Sequence, residues 1–216
     1  MIPRHAEERS NEELFIARFA MGCFWGPDAR FGLIEGVKRT RVGYAGGTTS
    51  APTYRNIGDH METLEIVYDP DILSFADLLD LFLEGHDPLG HPPKRQYASA
   101  IFPVDDSTLQ MARDRLEEFQ KEVGQKPGTE IIPHSRFHTA EDYHQKFYLQ
   151  GVSQLYRSLL RRYGGFWELI DSTTAARVNG YLGGYGDHAH LAENVDRLDL
   201  DDDEARILER ILLSRR

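Results

Sequence analysis

Apolar residues recur along the chain with the periods of strands and helices. Period-two alternation and short apolar runs predict five strands, over residues 14–20, 37–44, 63–68, 97–102 and 129–132. The alternation is clearest in the third run, where Leu64, Ile66 and Tyr68 occupy every second position. This run therefore predicts a strand with one face against a core.

Helical spacing marks two segments between these runs, each opened by a capping signature. Ser74 with Asp77 forms a capping box before an apolar stripe, and this helix is expected to end near Gly85. Ser107 with Gln110 predicts the start of a second helix. Its apolar face would consist of Leu109, Ala112, Leu116, Phe119 and Val123.

The order of the predicted elements indicates the fold class. With a further helix after residue 22, the chain runs strand, helix, two strands, helix, strand, helix, strand. This is the order of an α+β, ferredoxin-like split β-α-β two-layer sandwich, in which helices cover one face of a mixed sheet. We expect a tail over 1–13, a folded domain over 14–150, and a helical C-terminal extension over 151–216 that packs on the same domain.

Composition and charge narrow the choice of partners. The 216 residues are 40% hydrophobic, which suits one compact domain with its own core. Lys and Arg total 25 against 35 Asp and Glu, and the net charge of −10 disfavours nucleic acid and anionic membranes as partners. The charged start, MIPRHAEERSNEEL, lacks the apolar stretch of a signal peptide. We therefore expect a cytoplasmic monomer that binds neither nucleic acid nor membrane.

The sequence contains one cysteine, Cys23, which excludes an internal disulfide and a structural Cys-rich zinc site. Pro27 is compatible only with the first turn of a helix, which places Cys23 at a helix N-terminus. Unpaired N–H groups and the helix dipole favour a thiolate there, so we predict a lowered pKa for Cys23. The alternative is that Cys23 is a small packing residue.

The residues beside the thiol favour a reactive cysteine. Phe24 and Trp25 stand between Gly22 and Gly26, and core packing would not ordinarily place a glycine on each side of two aromatic residues. Such glycines are typical of backbone that a ligand approaches closely.

The segment GCFWG at 22–26 resembles the signature of the A-class methionine sulfoxide reductases, in which the cysteine attacks the sulfoxide sulfur. Further segments agree with that family in order and spacing: GYAGG at 43–47, PTY at 52–54, HMETLEIVYDP at 60–70, HDP at 86–88, QY at 96–97 and AEDYHQKF at 140–147. Together they cover roughly residues 14–150, and NGYLGGYG at 179–186 is a weaker echo.

The resemblance implies a site made of a nucleophile, Cys23, a methyl-binding wall, Phe24 and Trp25, a proton donor, Glu62, and two hydroxyls on the oxygen side, Tyr44 and Tyr97. The chemistry independently requires an acid, because a sulfoxide oxygen leaves poorly until it is protonated, and a carboxyl in an apolar pocket has a raised pKa. Alternatively, Glu62 is a solvated charge at a strand end, and the two tyrosines are half-buried sheet residues.

The same resemblance implies reduction of methionine S-sulfoxide, free or in oxidised proteins, through a Cys23 sulfenic acid. With no second cysteine, an external thiol must restore the enzyme: thioredoxin, a glutaredoxin system or a small-molecule thiol. No bound cofactor is expected.

One loop departs from the family. Where Asp, His, Gly, Thr, Gln, Tyr and Arg usually follow one another, residues 92–98 read PPKRQYA, so the acid and the arginine are missing. Pro92 and Pro93 stand near the place of the acid, and we expect an active but slower or more selective reductase. An alternative is a catalytically impaired relative that serves as a redox sensor or a methionine-sulfoxide binding module.

Histidines suggest two further alternatives. A Cys-His hydrolase would need His60 or His144 as its base, but neither has a hydrolase context. His134 and His138 are suitably spaced for a metal, but the segment HSRFH contains no ligating carboxylate, so no metal is expected. His144 is instead expected to form hydrogen bonds within its own AEDYH segment.

Overall fold

The computed structural model describes residues 13–215, so all but the last residue of the predicted tail lies outside the described residues. The described chain forms one six-stranded sheet. Its strands are β1 (Phe15–Met21), β2 (Val37–Ala45), β3 (Met61–Tyr68), β4 (Ser99–Ile101), β5 (Glu130–Ile131) and β6 (His138–Thr139). Their order across the sheet is β5-β4-β1-β3-β2-β6.

The central strands, in the order β4-β1-β3-β2, carry the predicted ferredoxin-like topology. Each of these neighbouring pairs is antiparallel, while β5 pairs in parallel with β4, so the sheet is mixed. Helix α1 (Trp25–Gly32) connects β1 to β2, and α2 (Phe75–Glu84) connects β3 to β4. The α+β split β-α-β sandwich is therefore confirmed.

The remaining helices follow β4. They are α3 (Asp106–Val123), α4 (Phe147–Gly151), α5 (Ser153–Tyr163), α6 (Phe166–Ile170), α7 (Thr173–Leu182), α8 (His188–Asn194) and α9 (Asp202–Leu213). Short 3-10 turns span Arg95–Tyr97, Asp142–His144 and Val195–Arg197. Among the described residues, no helix is long and apolar enough to cross a membrane.

Capping explains where two helices begin. The capping box of Ser74 and Asp77 opens α2 as predicted. The predicted start of α3 at Ser107 is wrong, because the N-cap is Asp105, whose carboxylate accepts a hydrogen bond from the backbone N–H of Thr108. An acidic residue two positions upstream thus takes the capping role.

The strand ends also differ from their prediction. The run predicted over 97–102 is a strand only from Ser99, because residues 95–97 form a 3-10 turn. Strand β6 was not predicted, since its two residues pair with β2 but carry no alternation of their own.

Two hydrophobic clusters hold the chain together. The larger lies between the sheet and the first helices and includes Phe19, Leu64 and Phe82. The second lies among the C-terminal helices and includes Leu159, Val178 and Leu208. Helix α7 packs directly on α1: a Cβ added at Gly32 would stand 2.4 Å from the carbonyl oxygen of Ala176, and one at Gly180 would stand 2.7 Å from that of Ala29. The glycines therefore allow close backbone contact.

Candidate active site

Cys23 lies in the turn between β1 and α1 and is exposed. Gly22 turns the chain there with φ of 89°, a conformation that side-chain-bearing residues rarely adopt. Helix α1 has Phe24 as its N-cap, so Cys23 lies one residue before the N-cap. The backbone N–H of Trp25 donates a hydrogen bond to the Cys23 sulfur.

The predicted lowering of the Cys23 pKa is wrong. Partial burial of the thiol raises its pKa, the Trp25 N–H lowers it, and the charge of Glu62 raises it further. The helix N-terminus therefore acts in the expected direction but is outweighed. Because a neutral Glu62 no longer opposes the thiolate, proton uptake by Glu62 favours ionisation of Cys23.

Glu62 is buried on β3, with 2% of its surface exposed, and is not a solvated strand-end charge. Its Oε2 accepts a hydrogen bond of 3.0 Å from the backbone N–H of Phe24, and its Oε1 accepts one of 2.6 Å from Gln96 Nε2. Burial raises the pKa of Glu62, while these two hydrogen bonds lower it. The described residues place no cation against the carboxyl.

Tyr44 stands directly opposite Glu62 in the β2–β3 pairing and is fully buried, not half-buried. Its hydroxyl donates to Glu141 Oε2 at 2.7 Å, and the other oxygen of Glu141 accepts from the backbone N–H of Tyr54 at 2.9 Å. Burial and the bond to Glu141 raise the pKa of Tyr44 far above its ordinary value. The hydroxyl therefore keeps its proton, which is directed at Glu141.

Tyr97 ends the 3-10 turn after the divergent loop and is partly buried. Partial burial and the charge of Glu62 raise the pKa of Tyr97 to about 12. The neighbouring hydroxyl of Tyr54 contributes to this raised pKa of Tyr97. The structure thus places Tyr97 within the electrostatic reach of both Glu62 and Cys23.

Phe24 and Trp25 form an aromatic wall beside the thiol. Phe24 is buried and its ring lies 6.0 Å from that of Tyr44. The indole of Trp25 stacks on Phe147 with ring centroids 3.7 Å apart, and its Nε1 donates to His144 Nδ1 at 3.2 Å. The wall is therefore braced from the segment 140–147.

The expectation that the side chain of His144 bonds within its own segment is wrong, because its Nδ1 accepts from Trp25. Burial lowers the pKa of His144, which favours the neutral ring that this bond requires. Since Nδ1 accepts, Nε2 carries the hydrogen, and in the described part of the chain it is buried without a partner. This donor is available to an acceptor on a ligand.

The histidines named in the hydrolase alternative are occupied elsewhere. His60 Nε2 bonds to the carbonyl oxygen of Thr49 at 2.9 Å, and its Nδ1 accepts from the backbone N–H of Gly47 at 3.2 Å. No histidine contributes to the pKa of Cys23. Within residues 13–215, no group of three His, Cys, Asp or Glu side chains is arranged to hold a metal ion, and His134 and His138 belong to none.

Residue-by-residue reasoning missed four contributors: Gln96, Glu141, His144 and Tyr185. The first three lie in the QY and AEDYHQKF segments, so the family resemblance included these residues but assigned them no role in the site. Tyr185 comes from the C-terminal helices, and its hydroxyl would lie 3.2 Å from a Cβ added at Gly26. The group that approaches the Gly26 backbone closely is therefore the Tyr185 hydroxyl of the same chain.

The divergent loop is held at its C-terminal end. Pro92 and Pro93 are exposed, whereas the guanidinium of Arg95 donates to both carboxylate oxygens of Glu130, at 2.8 and 3.2 Å. Arg95 Nε also donates to the carbonyl oxygen of Asp59 at 3.1 Å. These bonds position Gln96 and Tyr97 beside Glu62. The expected effect of the loop on rate or selectivity stays a prediction.

Comparisons with known proteins agree with this geometry. The family model described as peptide methionine sulfoxide reductase matches residues 16–163. A second model, described as the helical domain of selenoprotein methionine sulfoxide reductase A, matches residues 167–212. A peptide methionine sulfoxide reductase of Drosophila melanogaster is 47% identical over 172 residues, which is 79% of this chain and 69% of that protein. The human mitochondrial peptide methionine sulfoxide reductase is 41% identical over 145 residues, covering 61% of this chain and 62% of that protein.

Solved structures give the same result. Mxr1 from Saccharomyces cerevisiae in reduced form matches with a TM-score of 0.58 and 30% identity, over 65% of this chain and 87% of that one. Methionine sulfoxide reductase A of Corynebacterium diphtheriae matches with a TM-score of 0.56 and 29% identity, over 67% and 77% of the two chains. With the thiol, the buried acid and the aromatic wall assembled at one end of the sheet, the chain belongs to the A class of the peptide methionine sulfoxide reductase family, a family of oxidoreductases.

Proposed function

We propose that this methionine sulfoxide reductase acts on the S epimer, free or within oxidised proteins, with Cys23 as nucleophile and Glu62 as proton donor. The observation that carries the proposal is the position of Glu62. Its carboxyl is buried and has no cation beside it in the described chain. It accepts a hydrogen bond of 3.0 Å from the backbone N–H of Phe24, the residue that follows the nucleophile. Burial raises the pKa of such a carboxyl, so it holds its proton to a higher pH than an exposed glutamate does.

The site has a separate surface for each part of a sulfoxide. Phe24 and Trp25 provide an apolar wall for the methyl group, while Glu62 supplies a proton on the oxygen side. The raised pKa values of Tyr44 and Tyr97 keep both hydroxyls neutral, so they add no negative charge where the oxygen would bind. This arrangement supports binding with the sulfur facing Cys23.

In the proposed reaction, the Cys23 sulfur attacks the sulfoxide sulfur while Glu62 protonates its oxygen. The oxygen passes to Cys23 as the S–O bond of the substrate breaks, which releases methionine and leaves a sulfenic acid. The proton lost by the thiol replaces the one delivered by Glu62, so the carboxyl ends as it began. Cys23 has then lost two electrons and methionine sulfoxide has gained them.

An external thiol completes the cycle, because the chain has no second cysteine. The thiol displaces water from the sulfenic acid to form a mixed disulfide, and a second thiol releases Cys23. We propose a thioredoxin, a glutaredoxin system or a small-molecule thiol as the reductant. No bound cofactor takes part in this scheme.

Single-turnover chemistry tests the proposal. Protein incubated with each sulfoxide epimer, without added thiol, is expected to give one methionine per chain from the S epimer and a sulfenic-acid adduct at Cys23. Cys23→Ser should give neither. Binding without methionine release would instead favour the redox-sensor alternative, and full turnover without added thiol would contradict the external-reductant step.

A further inference from the structure

Both oxygens of Glu62 receive hydrogen bonds from N–H donors, which is an arrangement suited to a carboxylate. Oε2 accepts from the Phe24 backbone at 3.0 Å and Oε1 accepts from Gln96 at 2.6 Å. A protonated carboxyl differs because one oxygen carries an O–H that must itself donate. A proton donor at this position therefore needs a neighbour that can change from donor to acceptor.

Only one of the two neighbours can make that change. The Phe24 N–H belongs to the main chain at the N-cap of α1, so it cannot be replaced by an acceptor. The side chain of Gln96 ends in an amide with a donor on one arm and an acceptor on the other. Half a turn about its last torsion angle, which has two broad wells, exchanges Nε2 for Oε1 at the position facing Glu62.

The turn that carries Gln96 is held in place. The guanidinium of Arg95 is bonded to Glu130 and to the Asp59 carbonyl, and within the turn the Ala98 N–H donates to the Arg95 carbonyl oxygen at 3.0 Å. The backbone of Gln96 is thus fixed at hydrogen-bonding distance from Glu62 while its amide remains free to reverse. The Gln96 amide can therefore change its hydrogen bond to Glu62 without movement of the backbone.

We propose that Gln96 is a positioning residue for the proton donor: its amide accepts from the protonated Glu62 and, after reversal, donates to the carboxylate that proton transfer leaves. The inference rests on the proposed role of Glu62. It assigns to Gln96 the control of when Glu62 holds its proton, a task distinct from contact with substrate.

The other ionisable groups that face Glu62 cannot stabilise its carboxylate form. Cys23 approaches from the turn before α1, Tyr44 from β2 and Tyr97 from the 3-10 turn, and each becomes an anion when it ionises. Glu141 stands behind Tyr44. None of these is a cation, so Gln96 and the Phe24 N–H are what stabilise the carboxylate form of Glu62 in the described chain.

The test is a direct titration of Glu62 in full-length protein containing carboxyl-¹³C glutamate, followed by NMR. The Glu62 resonance is identified by its loss in Glu62→Gln. Native protein is compared with Gln96→Met, which keeps the length of the side chain but has no amide. The matched control is Lys94→Met, an exposed substitution in the same loop that leaves the Gln96 amide and the Arg95 bonds in place. Each is also measured with Cys23→Ser, so that Glu62 titrates without the thiol.

We expect Gln96→Met to move the midpoint for Glu62 upward by roughly one pH unit, because the hydrogen bond lost by the carboxylate is stronger than the one lost by the neutral acid, and Lys94→Met to leave it unchanged. Gln96→Glu should raise the midpoint through repulsion between two neighbouring carboxyls, and it shows that the Glu62 resonance reports on residue 96. An unmoved midpoint in Gln96→Met would overturn the inference. The proposed function fails separately, if Glu62→Gln reduces sulfoxide at the native rate.

Discussion

Two carboxyl groups are buried against helix α1, and they differ in whether a cation lies beside them. Asp28, on the helix itself, is 1% exposed, and Glu62, on β3, is 2% exposed. Asp28 accepts from Lys146 Nζ at 3.0 Å and from the Thr40 hydroxyl at 2.5 Å, and its second oxygen accepts from Asn179 at 3.2 Å. Glu62 receives only two neutral N–H donors.

Equal burial therefore has different consequences. Removing an ionised carboxylate from water is costly, and a buried cation with good hydrogen-bond geometry offsets that cost. Lys146 does so for Asp28, and the pair joins α1 to the segment before α4 and, through Asn179, to α7. Glu62 has no such partner, so burial raises its pKa instead. Counter-charge, not depth of burial, distinguishes the structural carboxylate Asp28 from the proposed proton donor Glu62.

Replacing Glu62 by glutamine should separate activity from stability most strongly. General acid catalysis contributes about 10²- to 10⁴-fold, so we expect single-turnover methionine formation to slow by that factor. The free energy of unfolding should stay the same or rise, because an uncompensated buried acid is removed. Rapid-quench kinetics and urea unfolding measure the two quantities, and a native rate would remove Glu62 from the mechanism.

Replacing Lys146 by methionine should have the converse effect. An unpaired Asp28 would remain in the interior, and breaking a buried pair in this way costs about 3–5 kcal/mol of unfolding free energy. The double variant Asp28→Asn with Lys146→Met is the control and should recover most of the loss in urea unfolding. If Lys146→Met alone is as stable as native protein, the pair does not stabilise the fold.

Both carboxylates illustrate what the sequence could and could not predict. The alternation over residues 63–68 predicted the strand that carries Glu62, although all residues of β3 are buried, on both faces. The raised pKa of Cys23 could not be foreseen, since it depends on burial in the folded chain and on the charge of Glu62, which is distant in the sequence. The proposed role of Gln96 likewise depends on a 3-10 turn over Arg95–Tyr97 that the sequence pattern did not predict.

The buried ion pair of Asp28 and Lys146 could not be predicted from the sequence for a similar reason. Asp28 and Lys146 are 118 residues apart and meet only after the C-terminal helices pack on α1. Lys146 adopts a left-handed backbone conformation, φ 48°, just before α4, and no local pattern indicates this. Local rules thus predicted the elements, while the charges beside them were fixed by tertiary contacts.

A change at the paired carboxylate that keeps the cation is Thr40→Val, which removes the hydroxyl that donates to Asp28 and accepts from Lys146. A hydrogen bond to a charged group is worth about 1.5–3 kcal/mol, so the unfolding free energy should fall by at least that amount. Single-turnover chemistry at Cys23 should stay near native, because Glu62 is untouched. A large loss of rate without loss of stability would contradict the division of roles.

The smallest expected effect is on the pH dependence of stability. Because the pKa of Glu62 is raised by folding, its contribution to stability is complete below the unfolded pKa and is lost as pH rises through the folded pKa. Glutamine does not titrate. The stability of Glu62→Gln relative to native protein should therefore increase with pH, as urea unfolding between about pH 4 and pH 8 would measure. A constant difference would mean that folding does not perturb Glu62.

The most direct test is to give Glu62 the counter-charge that Asp28 has. Gln96→Lys would place an ammonium group beside Glu62 Oε1, where the Gln96 amide now lies at 2.6 Å. An adjacent cation should hold Glu62 ionised, and the single-turnover rate should fall about 10²-fold or more below that of the neutral, equally long Gln96→Met. Equal rates in these two variants, with Glu62 ionised in the lysine variant, would show that the reaction does not take its proton from Glu62.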